Sequence, residues 1–347
     1  MEPVIFAPDA ASALAQVFEE LTFSKLVVLT DTNTQKHCLP RIQNALPENS
    51  AFLCVSPGEI HKNLETCTEI WSQMTELALD RKTLMLNLGG GVIGDMGGFC
   101  ASIYKRGIRF INLPTTLLSQ VDASVGGKLG VDFRGLKNHL GVFNEPETVL
   151  IAAEFLETLP KEELRSGYAE IIKHGLIHDA AYFNSLKTSN WESQSWEDLI
   201  QKSVAIKKTV VTADPKENGL RKILNFGHTI GHAFESYFLD SANHLLHGEA
   251  IALGMIAEGY LSVKKCGMSS EDLEILTKTL LGIYGKVNFD LNQLDPILDL
   301  CIQDKKNEGN TLMFSLLKSI GDCTYNIPVT REEILEAIQF YHDLKTA

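Results

Sequence analysis

The sequence lacks the features of membrane-spanning and secreted proteins. No apolar run reaches the roughly 18 to 20 unbroken residues that a spanning helix needs, and the run over residues 84–99 is interrupted by Asn87, Asp95 and several glycines. The opening segment MEPVIFAPDA carries Glu2 and Asp9, where a secretory signal would have a basic stretch followed by an apolar one. The 7 cysteines form no Cys-x-x-Cys pair, so we expect reduced thiols. These absences predict a cytoplasmic protein.

Positive charge is also scarce. The chain has 31 Lys and Arg against 44 Asp and Glu, a formal net charge of −13. Affinity for nucleic acid comes mainly from clustered Lys and Arg, so we expect no nucleic-acid partner. An anionic small molecule stays possible where basic residues converge. With 44% hydrophobic and 22% charged residues among 347, the composition is that of a globular protein, and the length predicts two domains.

Strand-like and helix-like segments alternate in the first part of the chain. β-type runs at 25–31, 51–57, 83–91 and 108–114 are separated by helical spacing, which predicts a parallel sheet with covered faces and hence a nucleotide-binding α/β domain. Beyond Glu154 the spacing is helical, and Pro146 marks a break. We therefore predict an α/β domain over 1–148 and a mainly α-helical domain over 149–347. The clearest predicted helices cover 162–177, 196–212, 249–265 and 331–345.

A glycine-rich turn follows the run TLMLNL. Gly89, Gly91 and Gly94 satisfy the spacing G-x-G-x-x-G between a strand and a helix, where backbone N–H groups can approach a pyrophosphate. No acidic residue stands about 20 positions downstream for the ribose, although Asp31 could serve instead. The pattern predicts a phosphate-binding turn, and a tight turn without a ligand remains the alternative. The segment VGGK, with Thr115 and Thr116, adds small and hydroxyl-bearing residues near the strand ends.

Three histidines stand close together in the second part of the chain. His228 and His232 are four residues apart, which puts both imidazoles on one face of a helix, and His247 follows within HLLHGEAIALG. A catalytic zinc ion takes three protein ligands and keeps an open position. Three imidazoles would provide them, as would two imidazoles and a carboxylate such as Glu170, which stands in an apolar helix. No glutamate follows His228, so the H-E-x-x-H pattern is absent.

Several basic residues stand in glycine-rich or apolar text instead of in charge runs. Each alone is typical of a protein surface, but together they could hold a phosphate and a carboxylate. They are Lys128, Lys137, Lys173, Lys207 and Arg221, with Arg106, Lys305 and Lys306 as further candidates.

Long stretches of the chain resemble 3-dehydroquinate synthases. The resemblance runs from about Asp31 to Gly321 and rests on GGGVIGDMGGFCASIYKRG, LPTTLLSQVDASVGGKLGVD, LKNHLGVF, YAEIIKHGLI, LRKILNFGHTIGHAFE and LHGEAIALGM. It implies an N-terminal, Rossmann-like NAD-binding α/β domain and a mainly α-helical, metal-binding C-terminal domain, with the active site in the cleft between them. Arg106 matches a position that reaches the neighbouring subunit, so a homodimer is implied.

The resemblance also implies a role for each site residue. Glu170, His228 and His247 would bind one divalent metal ion per subunit, zinc or cobalt, and His232 would contact the substrate. The implied NAD contacts are Asp31, Asn33, Glu59, Lys62, Gly90, Gly91, Val92, Ile93, Gly94, Asp95, Thr115, Thr116, Lys128, Lys137, Phe155, Leu156, Glu157 and Thr158. The implied substrate contacts are Arg106, Asp122, Lys128, Asn138, Lys173, Lys207, Arg221, Asn225, His232, Lys305 and Lys306, with Lys128, Asn138, Lys173 and His232 also catalytic.

The implied activity is that of a phosphate-eliminating carbon–oxygen lyase. It converts 3-deoxy-D-arabino-heptulosonate 7-phosphate to 3-dehydroquinate and phosphate, in the shikimate pathway to aromatic amino acids. The implied steps are, in order, transient oxidation by NAD, phosphate elimination, reduction and an intramolecular aldol closure. Another sugar phosphate cyclase, an NAD alcohol dehydrogenase of the glycerol type and a catalytically silent binding module are the alternatives. Two departures from the family pattern are the inserted YFLDSAN between His228 and His247, and His244 close to the expected ligand.

Overall fold

The computed structural model describes residues 3–123, 125–187, 190–239, 241, 243–303 and 312–345. The chain divides into two units, residues 1–164 and 165–347. Within the described residues, no helix is long and apolar enough to cross a membrane.

A six-stranded parallel sheet forms the centre of the first unit, in the order β1-β8-β5-β4-β2-β3. The alternation of strands and helices predicted this parallel arrangement, because a crossover helix must connect neighbouring parallel strands. The strands of this unit are β1 (Val4–Phe6), β2 (Leu26–Asp31), β3 (Ala51–Val55), β4 (Leu84–Gly89), β5 (Arg109–Pro114), β6 (Lys128–Phe133), β7 (Leu136–Phe143) and β8 (Val149–Ile151). Strands β6 and β7 lie outside the six-stranded sheet. The helices are α1 (Ala10–Glu20), α2 (Thr32–His37), α3 (Leu39–Ile42), α4 (Leu64–Glu76) and α5 (Gly91–Ile103).

Hydrophobic cores cover both faces of this sheet. In β2, Val27 and Leu29 belong to one core, whereas Leu26 and Val28 belong to the other. Side chains of a strand alternate between faces, so a strand with both faces covered is apolar throughout. This explains why residues 26–29 form a continuous apolar run in the sequence.

The sequence did not predict all the strands of the first unit. The VGGK segment leads into β6, which pairs antiparallel with β7. The domain boundary also differs from the one expected after residue 148. The extended run at that point is β8, which pairs with β1 through Val149 and Val4 and with β5 through Asn112, so it belongs to the first unit. Its partners are far away in sequence, and local patterns do not reveal such pairing.

The second unit is mainly helical. Its helices are α6 (Lys161–His178), whose first turn precedes the unit boundary, α7 (Ala180–Leu186), α8 (Trp196–Ala213), α9 (His228–Phe238), α10 (His247–Cys266), α11 (Ser270–Tyr284), α12 (Leu294–Gln303) and α13 (Arg331–Asp343). The four helices expected from their spacing are all present. An antiparallel hairpin of β9 (Leu312–Ser319) and β10 (Asp322–Val329) was not predicted. Helix α10 packs against α9, α11, α13 and β9, which explains why most of its residues are buried.

Candidate metal centre and nucleotide turn

Three helices bring the expected metal ligands together. His228 is the first residue of α9 and His247 the first of α10, while Glu170 lies in the middle of α6. Ligand atoms of these three residues lie within 4.8 Å of one another. Glu170, more than 50 positions before either histidine in the sequence, therefore joins them in one group that could hold a metal ion.

The α6 and α10 backbones approach closely beside this group. The Gly248 N–H donates to the Ser166 hydroxyl at 2.9 Å, and a Cβ added at Gly248 would lie 2.2 Å from the Ser166 carbonyl oxygen. Only glycine permits this approach. It fixes the start of α10, where His247 lies, against the helix that carries Glu170.

Both histidines direct the same ring nitrogen at one carboxylate oxygen. Nε2 of His228 lies 3.4 Å, and Nε2 of His247 3.5 Å, from Oε1 of Glu170. The carboxylate is fully buried, and its other oxygen forms an ion pair with the buried Lys173. Three ligand atoms thus face a common point, as a metal ion requires.

The other ring nitrogen of each histidine faces an acceptor. Nδ1 of His228 lies 3.1 Å from the Phe226 carbonyl oxygen, and Nδ1 of His247 lies 3.4 Å from Oε2 of Glu235. A carbonyl or carboxylate can only accept, so Nδ1 carries a proton in each ring, which leaves Nε2 as the atom that would bind a metal ion beside Glu170. Carboxylates and carbonyls orient metal-binding histidines in this way. The donor set fits one divalent cation of the kind that binds nitrogen and oxygen ligands.

The charges around the two imidazoles differ. Burial, followed by the nearby Lys173, lowers the pKa of His228 well below its usual value. Burial also opposes the charged form of His247, but the Glu235 and Glu170 carboxylates outweigh it and raise the pKa of His247 to about 9. Two carboxylates therefore favour positive charge here, which is the electrostatic setting of a cation site.

His232 lies beside this group, as its spacing from His228 predicted. Its ring centroid is 5.0 Å from that of His228 and 5.8 Å from that of His247. A second set of possible ligands, His232, Glu235 and His247, also has its atoms within 4.8 Å of one another. His247 belongs to both sets, so the choice lies between the pair Glu170 and His228 and the pair His232 and Glu235. His244 lies outside both sets, and its Nδ1 faces the Leu239 carbonyl oxygen at 3.1 Å.

Buried cationic side chains accompany the metal group in the second unit. Lys173, Lys207 and Arg221 are 1%, 6% and 2% exposed, and cations are seldom buried to this degree without compensation. Arg221 donates to the Pro215 carbonyl at 2.7 Å, and Asn225 donates to Glu217 at 2.6 Å. The expected contacts Lys305 and Lys306 lie outside the described residues.

The glycine turn of the first unit connects β4 to α5 as predicted. Gly90 precedes the first helical residue and supplies no side-chain cap. A Cβ added at Gly94 would meet nothing within 4 Å, so the first turn of α5 is open on the side of Gly94. Thr115 anchors the neighbouring strand end through its N–H, which donates to the Gly89 carbonyl at 3.0 Å. An open helix N-terminus in this position suits a phosphate group.

A polar network lies next to this turn. The buried Lys62 ammonium donates to Asp95 and to Asn138, both at 2.7 Å. The backbone N–H of Asn138, whose φ is 49°, donates to Asp132 at 2.7 Å. Lys137 pairs with Glu59 at 3.5 Å. Four residues expected at the NAD or substrate sites, Lys62, Asp95, Lys137 and Asn138, thus share one region of the first unit.

Other expected residues of the first unit have local structural roles. Asp31 caps α2, accepting at 2.8 Å from the N–H groups of Asn33 and Thr34. Phe155 belongs to a hydrophobic core, whereas Glu157 is paired with Arg41 at 2.8 Å. Among the remaining positions, Arg106 is exposed with φ 70°, Asp122 lies in a π-helical turn and Lys128 lies at the start of β6.

Two carboxylates near the histidines were not foreseen from the sequence. Glu235 stands three residues after His232 and accepts from His247. Glu258 is buried in α10 and accepts from the backbone at the start of α9. An acidic residue within an otherwise apolar helical segment is the sequence feature that could have indicated both carboxylates. The same feature indicated Glu170.

Solved structures define the class of protein. The chain superposes on 2-epi-5-epi-valiolone synthase from Streptomyces hygroscopicus, solved with NAD⁺ and Zn²⁺, with a TM-score of 0.87 and 26% identity over 98% of this chain and 96% of that one. A 2-deoxy-scyllo-inosose synthase complexed with carbaglucose-6-phosphate, NAD⁺ and Co²⁺ gives 0.82 and 25%, over 97% and 96%. The glycerol dehydrogenase of Schizosaccharomyces pombe shares the fold, with a TM-score of 0.66 at 14% identity, over 98% of this chain and 88% of that one. The fold is thus that of the sugar phosphate cyclases.

Sequence comparison identifies the family within this class. The 3-dehydroquinate synthase N-terminal profile matches residues 52–166 and the C-terminal profile matches residues 167–307. A 3-dehydroquinate synthase of Parabacteroides distasonis is 42% identical over 347 aligned positions, 99% of this chain and 98% of that protein. One from Campylobacter concisus is 38% identical, over 91% of each chain. The chain belongs to the 3-dehydroquinate synthase family, which confirms the resemblance that its motifs indicated.

Proposed function

We propose that this protein converts 3-deoxy-D-arabino-heptulosonate 7-phosphate to 3-dehydroquinate and phosphate. Family membership supports the reaction. The observation that carries the metal dependence is the convergence of two imidazole Nε2 atoms on one buried carboxylate oxygen. We assign Glu170, His228 and His247 as the metal ligands, and His232 to the substrate.

The bound groups supply chemistry that side chains lack: a divalent cation polarises a hydroxyl, and NAD accepts and returns a hydride. The cation would be held by Nε2 of His228 and of His247, whose Nδ1–H groups are oriented by the Phe226 carbonyl and by Glu235. We assign NAD to the glycine turn, where Gly94 faces open space.

The buried cations suit a substrate that carries a phosphate and a carboxylate. Lys173, Lys207 and Arg221 would bind its anionic groups, because a charge-assisted hydrogen bond is strongest where water is excluded. Asn225 and His232 would orient its hydroxyls. Holding the substrate in one reactive arrangement contributes through orientation. The Lys305 and Lys306 pair and Arg106 are further proposed contacts, and Arg106 is the basis for proposing a homodimer.

Phosphate release tests this proposal. With the heptulosonate phosphate and a trace of NAD, we expect many turnovers per NAD, loss of activity with a chelator and recovery with Zn²⁺ or Co²⁺. Activity that persisted without metal, or that consumed NAD stoichiometrically, would defeat the proposal. A heptulose phosphate lacking the carboxylate distinguishes this reaction from that of other cyclases. We expect Arg221→Met to weaken turnover of the natural substrate more than turnover of this analogue.

His244 provides a matched control for His247. His244 lies three residues before His247, the first residue of α10, but of the two only His247 points its Nε2 at Glu170. We expect His247→Ala to abolish metal binding and phosphate release, and His244→Ala to retain both. The reverse result would assign the ligand to His244.

A further inference from the structure

Glu258 is a buried acidic residue that the proposed chemistry does not use. It lies in α10, between Ala257 and Gly259, and is 0% exposed. A carboxylate in such a place is costly unless hydrogen bonds compensate for the lost hydration. Its hydrogen bonds therefore indicate what it does.

Each carboxylate oxygen of Glu258 accepts from one backbone N–H at the start of α9. Oε2 accepts from Gly227 at 2.7 Å and Oε1 from Ile230 at 3.1 Å. The first four N–H groups of a helix lack partners within it, and Gly227, which precedes the first helical residue, has no side chain to cap them. Glu258 thus caps α9 from a different helix, and the partial positive charge of the α9 N-terminus favours its carboxylate.

The capped residues enclose His228. Gly227 precedes it directly and Ile230 follows by two positions, so the backbone on both sides is tied to α10. This contact has little room to adjust: Gly227 has φ +80°, and a Cβ added at Gly254 of α10 would lie 1.9 Å from the Gly227 carbonyl oxygen. A shift of the α9 N-terminus would move the His228 ring away from Glu170.

We propose that Glu258 is a positioning residue of the metal centre, an interhelical cap that holds His228 where its Nε2 meets Glu170. The inference rests on the proposed role of His228 as a metal ligand. It requires both oxygens, since each serves a different N–H. In Glu258→Gln the amide keeps one acceptor and presents an NH₂ group to the second N–H, so one half of the cap is lost at unchanged volume.

Zinc affinity of Glu258→Gln, measured by competition with a chromophoric chelator, tests the proposal. We expect zinc binding weaker on the order of tenfold, the lower range for loss of a group that orients a ligand. The visible spectrum of the Co²⁺-loaded variant is expected to change as well, because it reports ligand geometry. An unchanged zinc affinity together with an unchanged Co²⁺ spectrum would overturn the proposal.

Asp179→Ala is the matched control. Asp179 is a carboxylate that caps α7 in the same unit, accepting from the Tyr182 N–H at 2.8 Å. It should lower the melting temperature of metal-free and zinc-loaded protein alike and leave zinc affinity unchanged. For Glu258→Gln we expect a larger fall in the loaded protein. Equal falls in both forms would show a purely structural cap and would overturn the proposal.

Two further measurements separate the possible failures. Zinc binding that survives His228→Ala would overturn the metal site and this inference with it. Loss of zinc in His228→Ala, with full affinity in Glu258→Gln, would overturn only the inference. If Glu258→Gln does not fold, amide exchange in the wild-type protein decides. We expect slow exchange at Gly227 and Ile230 that zinc slows further, and exchange as fast as in an exposed loop would contradict the cap.

Discussion

Replacing Glu170 by Gln tests the metal assignment most directly. The amide has the same shape as the carboxylate but no negative charge, and it is a poor ligand for a divalent cation. Apparent zinc-binding free energies of about 10–16 kcal/mol for four-ligand sites correspond to about 2.5–4 kcal/mol per ligand. We therefore expect the zinc Kd to rise by about two to three orders of magnitude, measured by chelator competition.

The same change also affects folding. Lys173 is 1% exposed and forms its ion pair with Glu170. Breaking a buried pair by removing one partner costs about 3–5 kcal/mol, so the metal-free Glu170→Gln protein should unfold at lower denaturant. Combining it with Lys173→Met removes the remaining buried charge. We expect the double variant to regain stability but not zinc affinity, which separates the two effects.

The reasoning would be refuted by wild-type zinc affinity in Glu170→Gln. If His232→Ala then lost zinc, the ligands would be His232, Glu235 and His247, the second group that the structure brings within 4.8 Å. The two sets share His247, so its loss cannot distinguish them. The comparison of Glu170→Gln with His232→Ala can.

Three further predictions concern glycines and a tyrosine. Gly254→Ala should destabilise the protein by several kcal/mol and lower zinc affinity, because its Cβ would lie 1.9 Å from the Gly227 carbonyl oxygen. Gly282→Ala, in α11, where an added Cβ would meet nothing within 4 Å, should instead stabilise the protein by about 0.5–1 kcal/mol. Denaturant titration compares the two variants. Gly94→Val should fold normally but bind NAD about tenfold more weakly, a loss of ~1.4 kcal/mol, which titration calorimetry measures. Unchanged NAD affinity would show that the pyrophosphate binds away from the glycine turn. Burial raises the pKa of Tyr182 to about 12, above the unfolded value of about 10. The contribution of its neutral phenol to the free energy of unfolding is therefore complete below pH 10 and is lost as pH rises toward 12. Denaturation between pH 8 and 11 should show stability falling less steeply in Tyr182→Phe than in the wild type.

The sequence by itself determined the type and order of the main elements. In β2 a continuous apolar run indicated a strand covered on both faces, and helical spacing located α6, α8, α10 and α13 to within a few residues. The i, i+4 spacing placed His228 and His232 on one face of α9. These features are local, because strand and helix periods repeat every two and 3.6 residues.

Only the tertiary structure decided which distant groups meet. Spacing left Glu170 and His232 equally available as the third ligand, and it could not show that two Nε2 atoms face one oxygen of Glu170. It also missed both hairpins and the pairing of the extended run at β8 with β1, which depend on residues remote in sequence or on turns it did not resolve. In the sequence, Glu258 is only an acidic residue within an apolar segment, because a cap that one helix provides to another has no local sequence pattern. A contact between distant segments is a property of the packed chain, and packing decides how His228 is held.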